Sequence, residues 1–309
     1  MSSTDQNDIE LAVDLGKLKL SNPVLAASGT FGYGLEYLPF VDLNRLAGFS
    51  TKGLSIKPRI GNAVPRVIET EAGMLNAIGL ENIGLEAFVE EKIPLLKDYK
   101  TRIIVNFFGE SEEEYGDMAE SLSELERIDA IEMNISCPNV AKGGHQFSSS
   151  PECVASVVEK ARKATSKFLI VKLSPNVQDI RETAKAAESA GADALSVANT
   201  YVGMKIDINS GGIPYLANRT GGLSGPAIKP MSLHLVSQCA QTVKIPIIGI
   251  GGIATAEDVL EYLYAGAKAV QIGTANFLDP AVTMKVCDDL EKLCKSLGIN
   301  KISDIEPSF

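Results

Sequence analysis

The sequence predicts a (β/α)₈ barrel, and three observations carry that expectation. Eight short apolar runs recur between residues 23 and 272, each followed by polar or glycine residues and then a helix-patterned segment. Runs of this length read as strands buried on both faces, and the amphipathic stretches between them read as crossover helices. No break in composition divides the span, so one domain over residues 1–309 is expected. Doubly wound sheets share the same alternation, but eight repeats favour closure into a barrel.

The elements follow in order. Glu10–Ser21 alternates around Leu15-Gly16-Lys17 and reads as a hairpin placed to close the bottom of the barrel. The strands are expected at Pro23–Ala27, Ala47–Thr51, Arg102–Phe107, Ala130–Asn134, Phe168–Lys172, Ala194–Ala198, Ile245–Ile250 and Ala269–Ile272. Pro151–Ser166 reads as a helix with Val154, Val157, Val158 and Ala161 on one face. Ala256–Ala265 reads as another, with Thr255 as N-cap and Gly266 just past its end. Gly53–Thr101, Ser136–Ser150 and Thr200–Lys244 carry more chain than a turn needs, as functional lids and binding loops do.

Composition excludes several function classes. With 29 Lys and Arg against 39 Asp and Glu, the net charge is −10, which disfavours nucleic acid or an anionic membrane as partner. Only His145 and His234 are present, so a multi-histidine metal centre is excluded and no metal is expected. Five scattered cysteines without a C-x-x-C pair suit reduced thiols and give no local iron–sulfur motif. The polar start MSSTDQNDIE and the absence of a spanning apolar run predict a cytoplasmic protein with no membrane attachment.

In such a barrel the chemistry projects from the C-terminal strand ends. Those ends supply Ser28, Lys52, Asn106, Asn134, Lys172, Asn199-Thr200, Gly251-Gly252 and Gly273-Thr274. Two lysines and three amides at a mouth fed by apolar strands form a polar constellation, although any single asparagine could serve a turn. The glycines after the seventh and eighth strands either turn the chain or let backbone amides approach a phosphate. Cys137, in Asn134-Ile-Ser-Cys-Pro-Asn139, opens a long polar loop where a thiolate can form, whereas Cys153, Cys239, Cys287 and Cys294 lie on helix-patterned segments and read as packing residues. A Cys137–His145 nucleophilic pair is conceivable, with no residue spaced to orient it. Lys172 at a strand end would also suit a Schiff-base aldolase.

Together, Ala27-Ser-Gly29, Thr51-Lys-Gly53, Gly73-Met-Leu-Asn-Ala-Ile-Gly-Leu80, Asn134–Asn139, Gly221-Gly-Leu-Ser-Gly-Pro226 and Gly249-Ile-Gly-Gly252 resemble the dihydroorotate dehydrogenase family. The likeness runs from about residue 10 to residue 295, with six short motifs in order. It implies a barrel holding one FMN that oxidises dihydroorotate to orotate in pyrimidine biosynthesis. Cysteine at the base position resembles the soluble class 1 enzymes, and Asn139–His145 resembles the class 1B catalytic chain. That class implies a homodimer of catalytic chains joined to a partner subunit carrying FAD and a 2Fe–2S cluster, which passes electrons to NAD⁺. Class 1A, a fumarate-dependent homodimer, and a flavin- or nucleotide-binding protein without turnover are the alternatives.

The resemblance also implies roles. Cys137 would take the C5 proton while hydride leaves C6, a role a thiol with pKa about 8.5 can fill. Asn76, Asn134, Asn139 and Asn199 would read the substrate ring, assisted by Thr200, with the backbone amides of Ala77, Ile78, Gly79 and Leu80 at its carboxylate. Lys52 would sit between flavin and substrate as a catalytic residue. Lys172 would face the N1–C2=O edge of the isoalloxazine and stabilise negative charge there. Gly225, Gly251, Gly252, Gly273 and Thr274 would hold the phosphate and ribityl end, and Ser28, Gly53, Asn106, Asn134 and Ala198 the ring.

Overall fold

A computed structural model describes residues 9–136 and 150–309. Eight parallel strands close into a barrel: Val24–Ala26, Gly48–Ser50, Arg102–Phe107, Ala130–Asn134, Phe168–Lys172, Ala194–Val197, Ile247–Ile250 and Ala269–Ile272. Each pairs with its sequence neighbours, and the eighth closes on the first with Val270 opposite Val24. Every residue of the fifth strand, Phe168–Lys172, is buried, as expected where barrel filling covers one face and helices the other.

The helix ends follow local chemistry. Ser150 accepts from Cys153 N to start Pro151–Ala164, which buries Val154, Val157, Val158 and Ala161. Thr255 and Asp258 form a reciprocal capping box at the start of Ala256–Tyr264. The expected hairpin forms from Val13–Asp14 and Lys19–Leu20. Its Leu15, Leu18 and Leu20 join the core, and Arg102, the first residue of the third strand, donates to Lys19 O at 3.2 Å, so it covers the N-terminal end of the barrel.

The opposite end carries a sheet that sequence patterning does not predict. Val67–Thr70 and Gly73–Asn76 form a hairpin within the insertion after the second strand. Gly73–Asn76 also pairs with Gly221–Ser224, and Gly221–Ser224 with Tyr201–Gly203, both from the insertion after the sixth strand. Two insertions far apart in sequence thus merge into one four-stranded antiparallel sheet. Among the described residues, no helix is long and apolar enough to cross a membrane.

Candidate active site

The fourth, fifth and sixth strands are hydrogen-bonded neighbours, so Asn134, Lys172 and Asn199 arrive side by side at the mouth. Tyr115 donates its hydroxyl to Asn134 O at 2.7 Å. Asn134 Oδ1 accepts from Ser136 N and from Asn199 Nδ2, each at 3.2 Å. Asn199 Oδ1 in turn accepts from Thr200 N at 2.8 Å. Both amides are therefore held in fixed planes, and Asn134 Nδ2 is left without a partner among the described residues.

Lys172 is 6% exposed, and its ammonium makes no hydrogen bond or ion pair to any described residue. Its aliphatic stem is buried while its ammonium keeps contact with the mouth, a position that favours an electron-rich guest. Lys52, after the second strand, is likewise free of a described partner at Nζ. Burial pulls its ammonium below the ordinary lysine value, Glu81 opposes that and Arg66 adds to it.

Beneath these groups lies a buried polar network that sequence reasoning missed. Glu132, fully buried on the fourth strand, accepts from Ser50 Oγ at 2.6 Å and from Asn106 Nδ2 and Gln271 Nε2, each at 3.3 Å. Asn106 is thereby fixed with Oδ1 against Gly53, where an added side chain would begin 2.8 Å from it. A carboxylate inside an apolar strand is the signal that could have found it. Replacing Glu132 with leucine should lower unfolding free energy by on the order of 3 kcal/mol in urea titration, because three buried donors lose their acceptor. Glutamine, which keeps the shape and one acceptor, should cost less than half of that.

At the far side of the mouth, Gly225, Gly251, Gly252, Gly273 and Thr274 come together. A side chain at Gly252 would begin 2.9 Å from Gly225 O, and Thr274 Oγ1 donates to Ser224 Oγ at 2.7 Å. The backbone N–H groups of all five residues lack partners among the described residues. Ser28 is half-buried after the first strand and Ala198 is buried after the sixth. Ser196 Oγ and Gln271 Oε1 are buried without partners. Among the described residues, amides without partners at one end, a lysine ammonium without a partner at the other and the orphaned Ser196 and Gln271 oxygens fit an elongated, anionic, hydrogen-bonding cofactor such as a flavin nucleotide.

The Asn76–Leu80 segment leaves the four-stranded sheet, and Asn76 Nδ2 donates to Gly222 O at 3.2 Å. One expectation needs correcting. The Ala77 N–H donates to Arg66 O at 2.8 Å and is not free for a substrate carboxylate; the amides of Ile78, Gly79 and Leu80 have no partner among the described residues. The reason is tertiary, since residues 66 and 77 extend the hairpin pairing by one more rung. Thr200 packs against Gly222, where a side chain would meet its Oγ1 at 2.0 Å. Cys137 and Asn139 lie outside the described residues. The remaining cysteines are on helices, and burial pushes the Cys239 and Cys287 thiols up to about 12, which suits packing.

A family model described as dihydroorotate dehydrogenase matches residues 10–294. The chain is 54% identical over 295 residues to a protein of Trichlorobacter lovleyi named dihydroorotate dehydrogenase B (NAD(+)), catalytic subunit, covering 96% of this chain and 97% of that one. A Pelobacter propionicus protein of the same name is 52% identical over 296 residues, with the same coverage. Among solved structures, Eimeria tenella DHODH in complex with ferulenol superposes with a TM-score of 0.78 at 23% identity, covering 98% of this chain and 89% of that chain. Its ligand-free form gives 0.79 at 24% identity, covering 98% and 93%.

Proposed function

The chain belongs to the dihydroorotate dehydrogenase family, and from that premise we propose that it oxidises dihydroorotate to orotate in pyrimidine biosynthesis, with FMN as its resident cofactor. The observation that carries the site assignment is Lys172, whose stem is buried and whose ammonium has no partner among the described residues, beside the locked Asn134–Asn199 amide pair. Bound FMN supplies the hydride acceptor. Everything else falls to the chain, read as one FMN-binding barrel domain over residues 1–309.

Asn76, Asn134, Asn139 and Asn199 hold the planar heterocycle, because an amide offers donor and acceptor in one plane to match an imide edge. Thr200 supports Asn199 through its backbone, and the unpaired amides of Ile78, Gly79 and Leu80 receive the carboxylate. Cys137 would remove the C5 proton. Lys52, its charged form disfavoured by burial, gains a stabilising neighbour when an anionic substrate or the cofactor arrives. Lys172 would stabilise negative charge on the ring, Ser28, Gly53, Asn106 and Ala198 would hold the ring, and Gly225, Gly251, Gly252, Gly273 and Thr274 would hold the phosphate and ribityl end.

The test is spectroscopic. Purified chain should be yellow, and anaerobic dihydroorotate should bleach its visible absorption within the mixing time of an ordinary cuvette experiment. Colourless protein that cannot be reconstituted with FMN, or a spectrum unmoved by substrate, would contradict the assignment.

The relatives' names specify NAD(+) and a catalytic subunit, which supports the class 1B route. In that reading, a cytoplasmic homodimer of catalytic chains joins an FAD- and 2Fe–2S-carrying subunit in a heterotetramer. The isolated chain should therefore reduce NAD⁺ at no more than about one hundredth of its rate with an artificial acceptor, a difference of roughly 2.7 kcal/mol or more in barrier. Steady-state assays with NAD⁺, fumarate and a redox dye separate this from the fumarate-dependent class. Full-rate NAD⁺ reduction by the chain alone would remove the partner requirement.

A further inference from the structure

The glycine motif at the end of the seventh strand serves two different neighbours. Gly249 and Gly251 face outward, towards the helix layer. A side chain at Gly249 would meet the Tyr262 ring at 2.3 Å, and one at Gly251 would meet Ser232 Oγ at 2.2 Å and Tyr262 Oη at 3.2 Å. The side-chain space of Gly249 is filled by Tyr262 and that of Gly251 by Ser232 and the Tyr262 hydroxyl. Tyr262, fully buried on helix Ala256–Tyr264, uses that room to donate its hydroxyl to Gly251 O at 2.7 Å. Ser232 stands behind it, and Tyr201 from the mouth sheet reaches Ser232 Oγ at 3.4 Å.

The Gly251–Gly252 peptide is trans, so its C=O and N–H point in opposite directions across one plane. Holding the carbonyl against Tyr262 therefore turns the Gly252 N–H away from the helix layer, towards the mouth where Gly225 and Thr274 also lie. Gly251 has φ 138° and Gly252 φ 69°, a stretch of backbone with the freedom to turn the other way. The nearest cation does not compensate for a misaligned amide. Lys229, whose Cβ lies 2.9 Å from the side-chain position of Gly252, spends its ammonium on Asp258 at 2.6 Å and Glu261 at 2.8 Å. Recognition of an anion here rests on how the N–H groups are aimed.

We propose that Tyr262 is a positioning residue for a phosphate monoester, aiming the Gly252 N–H into the cradle formed with Gly225 and Thr274. The inference rests on the reading of this end of the site as the place of the FMN phosphate, and adds a residue that never touches the ligand.

The test compares two ligands that differ only in that phosphate. Full-length chain, stripped of flavin, is titrated with FMN and with riboflavin, as wild type and as Tyr262→Phe. The variant should bind FMN about tenfold more weakly, the loss of one aimed hydrogen bond, and riboflavin within twofold of wild type. An equal loss for both flavins, or no loss for FMN, overturns the proposal. A second measurement needs no variant: the Gly252 amide resonance of the wild-type chain should shift with FMN and stay in place with riboflavin, and an unmoved resonance with FMN also overturns it. If wild type binds riboflavin as tightly as FMN, the phosphate assignment itself fails, and the role of Tyr262 falls with it.

Discussion

Cys137→Ser should slow reduction of the bound flavin by dihydroorotate at neutral pH by two to four orders of magnitude, the usual contribution of a positioned general base. A thiol with reference pKa about 8.5 has an accessible anionic form near neutrality, whereas a serine hydroxyl does not. The substitution changes one atom and leaves cofactor contacts alone, so flavin content should remain at wild-type level. Stopped-flow absorbance under anaerobic conditions reads the rate directly. Its pH profile carries further information: the wild-type rate should rise and level off as the thiol ionises, and the serine variant should keep rising through the same range. Wild-type reduction rates in the variant at pH 7 would take Cys137 out of the base role. Because residue 137 lies outside the described part of the structure, kinetics is the deciding measurement.

The second large effect concerns Lys172, and its value as a test lies in the contrast between the flavin-free and the flavin-loaded chain. Replacing it with methionine removes the ammonium, which has no described partner, and keeps most of the buried stem. The flavin-free chain should consequently keep its stability to within about 1 kcal/mol, since the aliphatic stem stays packed and the lost ammonium has no described partner. The flavin-loaded chain should lose cofactor affinity, and the midpoint potential of the remaining flavin should fall. A unit charge a few ångströms from the ring, partly screened, contributes about 2–4 kcal/mol, which corresponds to roughly 40–90 mV for a two-electron couple. Thermal unfolding of both forms and a dye-equilibrated redox titration check the pair of predictions. A variant whose flavin-free form loses several kcal/mol of stability, or whose potential is unchanged, would contradict the assignment of Lys172 to the ring edge.

The barrel is legible in sequence because its strands are covered on both faces. Segments such as Phe168–Lys172 and Ala194–Val197 must be apolar throughout, and they stand out from the helical patterns between them. The mouth is legible only in part. Lys52, Asn134, Lys172 and Asn199 could be picked out since each follows or ends such a run. Glu132 sits within one and was absorbed into it, although an acid at a strand centre demands donors and finds them in Ser50, Asn106 and Gln271. The pairing of Asn76 with Gly222 leaves no local trace, as the partners are 146 positions apart. The same holds for Ala77, whose amide is committed to Arg66 by a pairing that neither residue type reveals. Gly249 illustrates a different limit: a glycine reads the same whether it admits a ligand or a tyrosine ring.

The four-stranded sheet above the mouth ties the two ends of the reaction centre to one rigid gauge. Its strand Gly73–Asn76 runs directly into the segment proposed for the substrate, and its strand Gly221–Ser224 runs directly into Gly225, proposed for the phosphate. The separation between those ends is thereby set by backbone ladders, independent of how loops elsewhere breathe. Evolution cannot resize one excursion without resizing the other. A graft intended to re-tailor the ring-reading segment would have to transplant both excursions as a matched set.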